Sequence, residues 1–105
     1  MHTKDVKITK PILWDFDKNI KLLAERGLSF EAIEAAILGD ALVGVAQNES
    51  KNHQDQCMFV LDFDGYIVLV PYVETEKHIF LKTAFYSRKA TRDYLKEKSA
   101  CAKKT

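Results

Sequence analysis

Two adjacent cations, Arg88 and Lys89, have the type and the position to bind phosphate. They fall in the first turn of a predicted helix that Ser87 can cap, and the free amides of a helix start also attract anions. Cations are electrostatically disfavoured there, because the N-terminal end of the helix dipole is already positive. A local cost of this kind is a hint of function. The alternative is an ordinary solvated helix start.

Three nearby residues extend this predicted site, and a fourth is a candidate for acid–base chemistry. Lys82 and Tyr86 lie four residues apart on a predicted strand, which puts them on one face of it. Arg92 lies one helical turn beyond the two cations and extends the same face. Glu74, which precedes that strand, is a candidate base or charge partner.

Charge is unevenly distributed along the chain, although the formal net charge is only +1. Residues 77–105 carry nine Lys or Arg against two acids, a net charge of +7. Residues 1–76 carry seven against thirteen, a net charge of −6. Basic residues clustered on one element are typical of proteins that bind a polyanion, usually nucleic acid. A solvated helix face followed by a Lys-rich tail would show the same distribution.

Length and composition predict one domain over residues 1–98 and a basic tail, residues 99–105, that we expect to be disordered. No stretch approaches the roughly 20 apolar residues of a membrane span. The first ten residues lack the apolar core of a signal peptide. Cys57 and Cys101 form no CxxC pair, and no ligand cluster or Gly-rich loop is present. We therefore expect a cytoplasmic protein without metal, cofactor or disulfide.

Two helices are predicted in the first part of the chain, after a brief strand or extended entry at residues 12–14. Asp15 or Asp17 can cap the first helix, and Gly27 ends it. Ser29 can cap the second, which stops at Gly39. The apolar residues at helical spacing are Phe16, Ile20 and Leu23 in the first helix and the inward stripe Phe30, Ile33 and Ile37 in the second.

After Gly39 the apolar period changes to two, which predicts strands over residues 41–45, 58–63, 66–73 and 78–86. Asp64-Gly65 is a hairpin signal, and Pro71 must lie at an edge or a bulge because it has no amide hydrogen. Short turns imply antiparallel pairing. The predicted fold is α+β, with two N-terminal helices packed on a mainly antiparallel four-stranded meander and a C-terminal helix to about Lys98. The residues expected to be mostly buried are Trp14, Phe30, Ile33, Phe59, Leu61 and Leu69.

Three motifs occur in order along most of the chain, between about residues 13 and 95. They are Trp14-Asp15 with Lys18-Asn19, then Arg26-Gly27-Leu28-Ser29-Phe30-Glu31, and finally Ser87-Arg88-Lys89-Ala90-Thr91. In this order and spacing, the chain resembles the BrnT family of small bacterial toxins from type II toxin–antitoxin modules. Three departures are Tyr86, where a tyrosine is unexpected, the absence of further arginines after Arg92, and a loop at residues 47–56 with less positive charge than an RNA-binding loop typically carries.

The resemblance implies a compact RelE-like α+β fold and a metal-independent endoribonuclease that inhibits translation. In such enzymes the substrate 2′-hydroxyl attacks the adjacent phosphate, which leaves a cyclic phosphate and a 5′-hydroxyl. The implied partners are RNA and a cognate BrnA-like antitoxin that binds operator DNA, in a toxin–antitoxin hetero-oligomer. No membrane is implied.

Carried over to this sequence, the last motif makes Arg88 and Lys89 candidates for phosphate or transition-state contacts. Lys82 and Tyr86 join the candidate catalytic residues from their predicted positions. The general base is open among Glu74, Lys51 and His53, of which the last two, in the polar loop of residues 47–56, are also candidate RNA contacts together with Arg92. An alternative is a toxin-like module that binds an antitoxin or nucleic acid without cutting.

Overall fold

The computed structural model describes residues 8–47 and 56–103, and the side chains among them up to residue 96. Within these ranges the chain is α+β, as predicted, with three helices and one mixed sheet of six strands. In chain order the elements are β1 (Ile12–Trp14), α1 (Phe16–Arg26), α2 (Phe30–Leu38), β2 (Leu42–Gln47), β3 (Cys57–Phe63), β4 (Tyr66–Glu74), β5 (Ile79–Leu81), β6 (Phe85–Tyr86) and α3 (Arg88–Lys103).

The sheet extends the predicted meander at one side. Its strand order is β1-β5-β4-β3-β2, with β6 paired to β4 beyond the end of β5. Strands β2 to β5 pair antiparallel in sequence, whereas β1 pairs parallel with β5. The β3–β4 hairpin turns through Asp64 and Gly65, both at positive φ, as the Asp-Gly signal predicts. The predicted, mainly antiparallel four-stranded meander is therefore part of a larger, mixed six-stranded sheet.

A main core lies between one face of the sheet and helices α1 and α2. Phe30 and Ile33 of α2 are fully buried in it, and β4 contributes Val68, Val70 and Tyr72 at alternate positions. Tyr72 stacks on Phe59 with ring centroids 4.1 Å apart, and burial raises the pKa of Tyr72 to about 12. Of the six residues predicted to be mostly buried, Phe30, Ile33, Phe59 and Leu61 are buried, while Trp14 and Leu69 are half-buried.

A second, smaller apolar layer lies on the opposite face of the sheet, which α3 crosses. Met58, Val60 and Ile67 are buried there. α3 runs from Arg88 to Lys103 and so includes residues 99–103. The sheet is thus sandwiched between the two N-terminal helices and the C-terminal one.

Local signals set the ends of α1 and α2. The Asp15 carboxylate accepts hydrogen bonds from the amides of Asp17 and Lys18 at 2.8 and 3.2 Å, so Asp15 is the cap and Asp17 lies in the first turn. Gly27 ends α1 in the left-handed region at φ 68°. The Ser29 hydroxyl accepts from the Ala32 amide at 3.1 Å and caps α2. These predictions are confirmed.

A buried asparagine joins α1 to α2. The Asn19 side-chain oxygen accepts from the Phe30 amide at 2.7 Å, and its NH₂ donates to Glu31 at 2.7 Å. The first bond satisfies a buried donor at the start of α2, where helix amides lack intrahelical partners. The hydrogen bond from Asn19 is the main cause that lowers the pKa of Glu31.

The apolar period of α1 does not mark its buried face. Phe16, Ile20 and Leu23 are 72%, 54% and 55% exposed, whereas Asn19 and Leu22 are buried. The inward-facing position is occupied by a polar residue, Asn19, whose side chain bonds the Phe30 amide and Glu31 of α2. Its apolar residues are left as an exposed stripe.

The predicted fourth strand is interrupted opposite Pro71. β4 is a central strand, so Pro71 does not lie at an edge. The Pro71 carbonyl accepts from the Lys82 amide at 2.9 Å, in the gap between β5 and β6. Because the carbonyl and the nitrogen of a residue point to the same side of an antiparallel strand, the Pro71 nitrogen, which has no hydrogen, faces this gap too. The gap holds one extra residue, because Tyr72 pairs with Leu81 but Leu69 pairs with Phe85. The bulge alternative is therefore the correct one.

The extra residue shifts the alternation of side chains by one, so that even-numbered residues after the gap lie on the main-core face instead of the α3 face. Phe80 pairs with Val73 on the α3 face, whereas Ala84 belongs to the main core. Arg26, at the end of α1, donates from Nη1 to the Ala84 carbonyl at 2.6 Å. This bond satisfies a carbonyl that the interrupted strand leaves unpaired.

Replacing Asn19 by alanine is expected to lower the free energy of unfolding by about 1–3 kcal/mol, because it leaves the buried Phe30 amide without an acceptor. Urea unfolding at neutral pH measures this. Lys18→Ala, at the exposed neighbouring position, should change the same quantity by less than about 0.5 kcal/mol. Equal effects of the two substitutions would contradict the role given to Asn19.

The same pair has a pH signature. The pKa of Glu31 is lowered in the folded state, so its bond with Asn19 stabilises the fold above the ordinary Glu pKa. This contribution is lost as the pH falls through the lowered value. The difference in stability between wild type and Asn19→Ala should therefore shrink on acidification, and a constant difference would contradict it.

Candidate functional site

The junction of β6 and α3 is held by a compact set of hydrogen bonds. The Ser87 amide donates to the Ile67 carbonyl at 2.9 Å, which anchors the junction to β4. The Ser87 hydroxyl accepts from the Ala90 amide at 3.1 Å, so Ser87 caps α3 as predicted. This geometry sets where Arg88 and Lys89 leave the sheet.

Thr91 fastens the first turn of α3 to the sheet. Its hydroxyl accepts from the Ile67 amide at 2.9 Å and donates to the Ser87 carbonyl at 2.6 Å. Thr91 is buried, so both bonds form out of water. One turn later the Tyr94 hydroxyl donates to Asp62 at 3.1 Å. These two contacts fix which face of α3 points inward.

The outward face of α3 is cationic. Lys89, Arg92 and Lys96 follow one another at spacings of three and four residues, and all three are exposed. Residues at this spacing lie along one side of a helix. Arg88, also exposed, stands at the start of the same stripe. Arg92 therefore extends the cationic face, as the sequence predicts.

These cations have no ion-pair partner within the part of the chain that the structure describes. The one ion pair recorded there joins Lys10 to Glu74 at 2.7 Å. Asp93 follows Lys89 by one helical turn without approaching it closely enough for an ion pair. The positive charge of the stripe is consequently open to an anionic ligand.

An aromatic pair precedes the cationic stripe in the chain and lies on the Val68 face of the sheet, opposite the face that α3 crosses. Tyr86 pairs with Val68 in the β4–β6 register, and Tyr66 is the neighbour of Val68 on the same strand face. The rings of Tyr66 and Tyr86 meet edge to face, with centroids 5.3 Å apart and planes at 90°. They are 42% and 45% exposed. We call the four cations Arg88, Lys89, Arg92 and Lys96 the β6–α3 surface.

Lys82 does not share a face with Tyr86. Its ammonium lies 5.8 Å from the centre of the Phe80 ring, on the side of the sheet opposite Val68 and Tyr86. Lys82 and Tyr86 do not share the expected face of the strand, because the interruption opposite Pro71 breaks the regular alternation of side chains between residues 82 and 86. Along β4, the two residues are also separated by about three positions, or roughly 10 Å.

Glu74 lies at the other end of β4 from the β6–α3 surface. Tyr86 pairs with Val68, and Glu74 is six positions further along the strand, about 20 Å away. Its carboxylate binds the Lys10 ammonium, which also donates to the Thr75 carbonyl at 2.8 Å. The structure therefore brings together Arg88, Lys89 and Arg92 on α3 but places Glu74 at the far end of β4 and Lys82 on a different face from Tyr86.

The remaining sequence-based candidates, Lys51 and His53, lie outside the described residues. Within residues 8–47 and 56–103, no group of three or more His, Cys, Asp or Glu residues could hold a metal ion. In the same ranges, no helix is long and apolar enough to cross a membrane.

Two exposed residues near the candidate site, Tyr66 and Lys96, escape sequence reasoning for different reasons. Lys96 repeats the helical spacing of Lys89 and Arg92, so the spacing alone could have found it. Tyr66 reads simply as the first residue of a strand. Its place beside Tyr86 depends on the β4–β6 register, for which the sequence carries no local signal.

Most residues of the three motifs noted above have structural roles. Asp15 and Ser29 cap helices, Asn19 and Glu31 bond to each other, and Thr91 holds α3. Arg88 and Lys89, in the last motif, are exposed at the start of α3. Chemically, the cations of the surface can bind phosphates.

Comparisons with family models, with curated proteins and with solved structures give no match for this chain.

Replacing Thr91 by valine is expected to lower the free energy of unfolding by about 1–3 kcal/mol, because it keeps the side-chain shape but removes the acceptor for the Ile67 amide. Urea unfolding measures the loss, and amide hydrogen exchange at Ile67 should accelerate. Thr91→Ser keeps the hydroxyl and should retain slow exchange at Ile67. Slow exchange in both variants would contradict the assigned bond.

Proposed function

We propose that the protein is the toxin of a type II toxin–antitoxin module, a metal-independent endoribonuclease that inhibits translation by cleaving RNA. The observation that carries this proposal is the β6–α3 surface, where four exposed cations have no ion-pair partner among the described residues. Such a surface suits a polyanion. The three BrnT-like motifs add support, because two exposed cations of the last motif, Arg88 and Lys89, lie on this surface.

In the proposed reaction the substrate 2′-oxygen forms a bond to phosphorus and the bond from phosphorus to O5′ breaks. The products are a cyclic phosphate and a 5′-hydroxyl. Arg88 and Lys89 stabilise the negative charge that develops on the phosphorane oxygens, which is the role of preorganised cations in phosphoryl chemistry. The 2′-hydroxyl loses a proton, and O5′ gains one.

Among the described carboxylates, Asp93 is better placed than Glu74 to accept the proton. Asp93 lies four residues after Lys89, about 6 Å along the axis of α3. Glu74 is about 20 Å from Tyr86 along β4 and is bound by Lys10. We therefore assign the proton acceptor to Asp93 in this proposal.

The proposed partner is an antitoxin of the BrnA type, in a cytoplasmic toxin–antitoxin complex. The exposed stripe of Phe16, Ile20 and Leu23 on α1 supports a protein partner, because three large apolar residues on one helix face favour burial. Leu95, 47% exposed on α3, adds an apolar residue beside the cationic stripe.

A second candidate function is a toxin-like module that binds RNA or an antitoxin without cutting. The observation that favours it is the position of Glu74, which is held by Lys10 away from the cations. A surface that binds phosphate but lacks an effective base would retain affinity and lose turnover.

Removing both Arg88 and Lys89 should abolish cleavage. We expect purified wild type to cut total RNA in the presence of EDTA, and Arg88→Ala/Lys89→Ala to cut it about 100-fold more slowly or not at all. Gel analysis of the fragments, with their 5′-hydroxyl ends identified by kinase labelling, measures both.

The matched control for this experiment is Lys18→Ala/Lys21→Ala, which removes two exposed charges from α1. It should cleave like wild type, whereas equal losses in both double variants would indicate a general charge effect. Folded wild type that cuts neither free nor ribosome-bound RNA would overturn the ribonuclease and leave the binding module.

Two carboxylate substitutions separate the candidate bases. Glu74→Gln should leave the cleavage rate unchanged, because Glu74 lies far from the cations, while Asp93→Asn should reduce it by about 100-fold. Single-turnover rates on one RNA measure the difference. Loss of activity in Glu74→Gln alone would return the base to Glu74 and contradict the geometry proposed above.

A further inference from the structure

The helices on the two sides of the sheet carry charge of opposite sign. Residues 27–47, which contain α2, include three acids and no Lys or Arg. Residues 88–96, in the first part of α3, include four cations and one acid. α2 packs on the main-core face of the sheet, whereas α3 crosses the opposite face. The acidic helix and the basic helix therefore lie on opposite sides of one molecule.

Each of these two helices also exposes a leucine. Leu38 of α2 is 59% exposed, and Leu95 of α3 is 47% exposed. On both helices the leucine follows an exposed charged residue by seven positions, Glu31 on α2 and Arg88 on α3. Residues seven positions apart lie two turns apart on the same side of a helix. The two helices thus present the same pattern, with opposite charges at one end and an apolar group at the other.

The residues between these ends continue the match. Arg92, which is exposed, lies between the two ends of the α3 pattern. The same place on α2 is taken by the exposed Ala35, with the half-buried Glu34 beside it. If α2 of one molecule lies parallel to α3 of another, Glu31 comes near Arg88 and the two leucines meet. Glu34 then comes near Arg92, whereas the antiparallel orientation would put each leucine beside a charge.

One molecule cannot make this contact by itself, because its own sheet separates the two helices. Within residues 8–47 and 56–103, neither the acids of α2 nor the cations of α3 form an ion pair. The formal net charge is only +1, so two copies approach each other without strong net repulsion. A second copy of the chain therefore supplies the complementary charge that each helix lacks.

We infer that α2 of one molecule docks in parallel on the β6–α3 surface of a second copy. The two patches differ, so the contact is head to tail and leaves one patch of each kind free for further copies. A contact between two helix faces is smaller than a standard interface, and we expect weak, concentration-dependent association. The contact covers Arg88 and Arg92, so it competes with a polyanion bound there. It does not depend on the proposed ribonuclease activity.

Sedimentation equilibrium of the full chain tests the contact. The average mass of wild type should rise above that of the monomer as the protein concentration increases. Raising the salt from about 50 mM to about 500 mM should weaken the association at least about 10-fold, because exposed charges are screened. A wild type that remains monomeric at every concentration in low salt would overturn the inference.

Two charge-swapped variants assign the contact to the two helices. Glu31→Lys/Glu34→Lys makes both helices basic, and Arg88→Glu/Arg92→Glu makes both acidic. Each variant alone should be monomeric, whereas an equal mixture should associate, because every basic helix again meets an acidic one. A variant that had merely lost its fold could not recover on mixing, so the mixture keeps the test decisive.

The matched control is Lys77→Glu/Lys82→Glu, which changes the net charge as much as the acidic swap but lies outside both helices. It should associate like wild type. Folded swapped variants that stay monomeric when mixed would overturn the inference. Salt-insensitive association that persists in both variants would also overturn it, and would place the contact on the apolar stripe of α1. Self-association by a protein that cleaves no RNA would uphold the contact while the ribonuclease proposal fails.

Discussion

A single missing hydrogen-bond donor, at Pro71, organises the half of the molecule that carries the candidate site. Because its nitrogen faces the last strand, regular pairing stops there and one extra residue enters between Leu81 and Phe85. That residue shifts the register, so that Tyr86 falls opposite Val68 and beside Tyr66. The same register brings the Ser87 amide to the Ile67 carbonyl, directly before α3 begins. Without the interruption, alternation would have sent Lys82 and Tyr86 to one face and placed the helix start elsewhere.

Buried polar groups, more than apolar ones, define how the helices sit on this sheet. Asn19 supplies an acceptor for the first amide of α2, and Thr91 supplies one for the amide that β4 turns toward α3. An unsatisfied buried amide is costly, so each side chain selects one docking geometry for its helix. The motif residues of the chain are largely these groups and the helix caps. A resemblance based on these residues is therefore mainly a resemblance in architecture. Among the motif residues, Arg88 and Lys89 are the candidates for a role in binding or catalysis.

The electrostatics of the β6–α3 surface work against local stability. Two cations occupy the positive end of the α3 dipole, and the described carboxylates leave the stripe that follows them without an ion pair. Such an arrangement is tolerable because all these side chains are exposed and screened by solvent. It becomes favourable when a polyanion supplies the missing negative charge. The apolar stripe of α1, formed by Phe16, Ile20 and Leu23, is a second exposed surface.

Local signals in the sequence predicted the parts of this structure that depend on neighbours within a few positions. Asp15, Gly27, Ser29 and the Asp64-Gly65 turn act on backbone groups two to four residues away, so their types suffice to place helix ends and a hairpin. The cationic stripe on α3 follows for the same reason. Local signals could not predict three other features. These are the buried face of α1, the parallel pairing of β1 with β5, and the contact between Tyr66 and Tyr86. Each depends on a contact between distant segments, since a polar side chain turns inward, and two rings meet, only once the strands have taken their register.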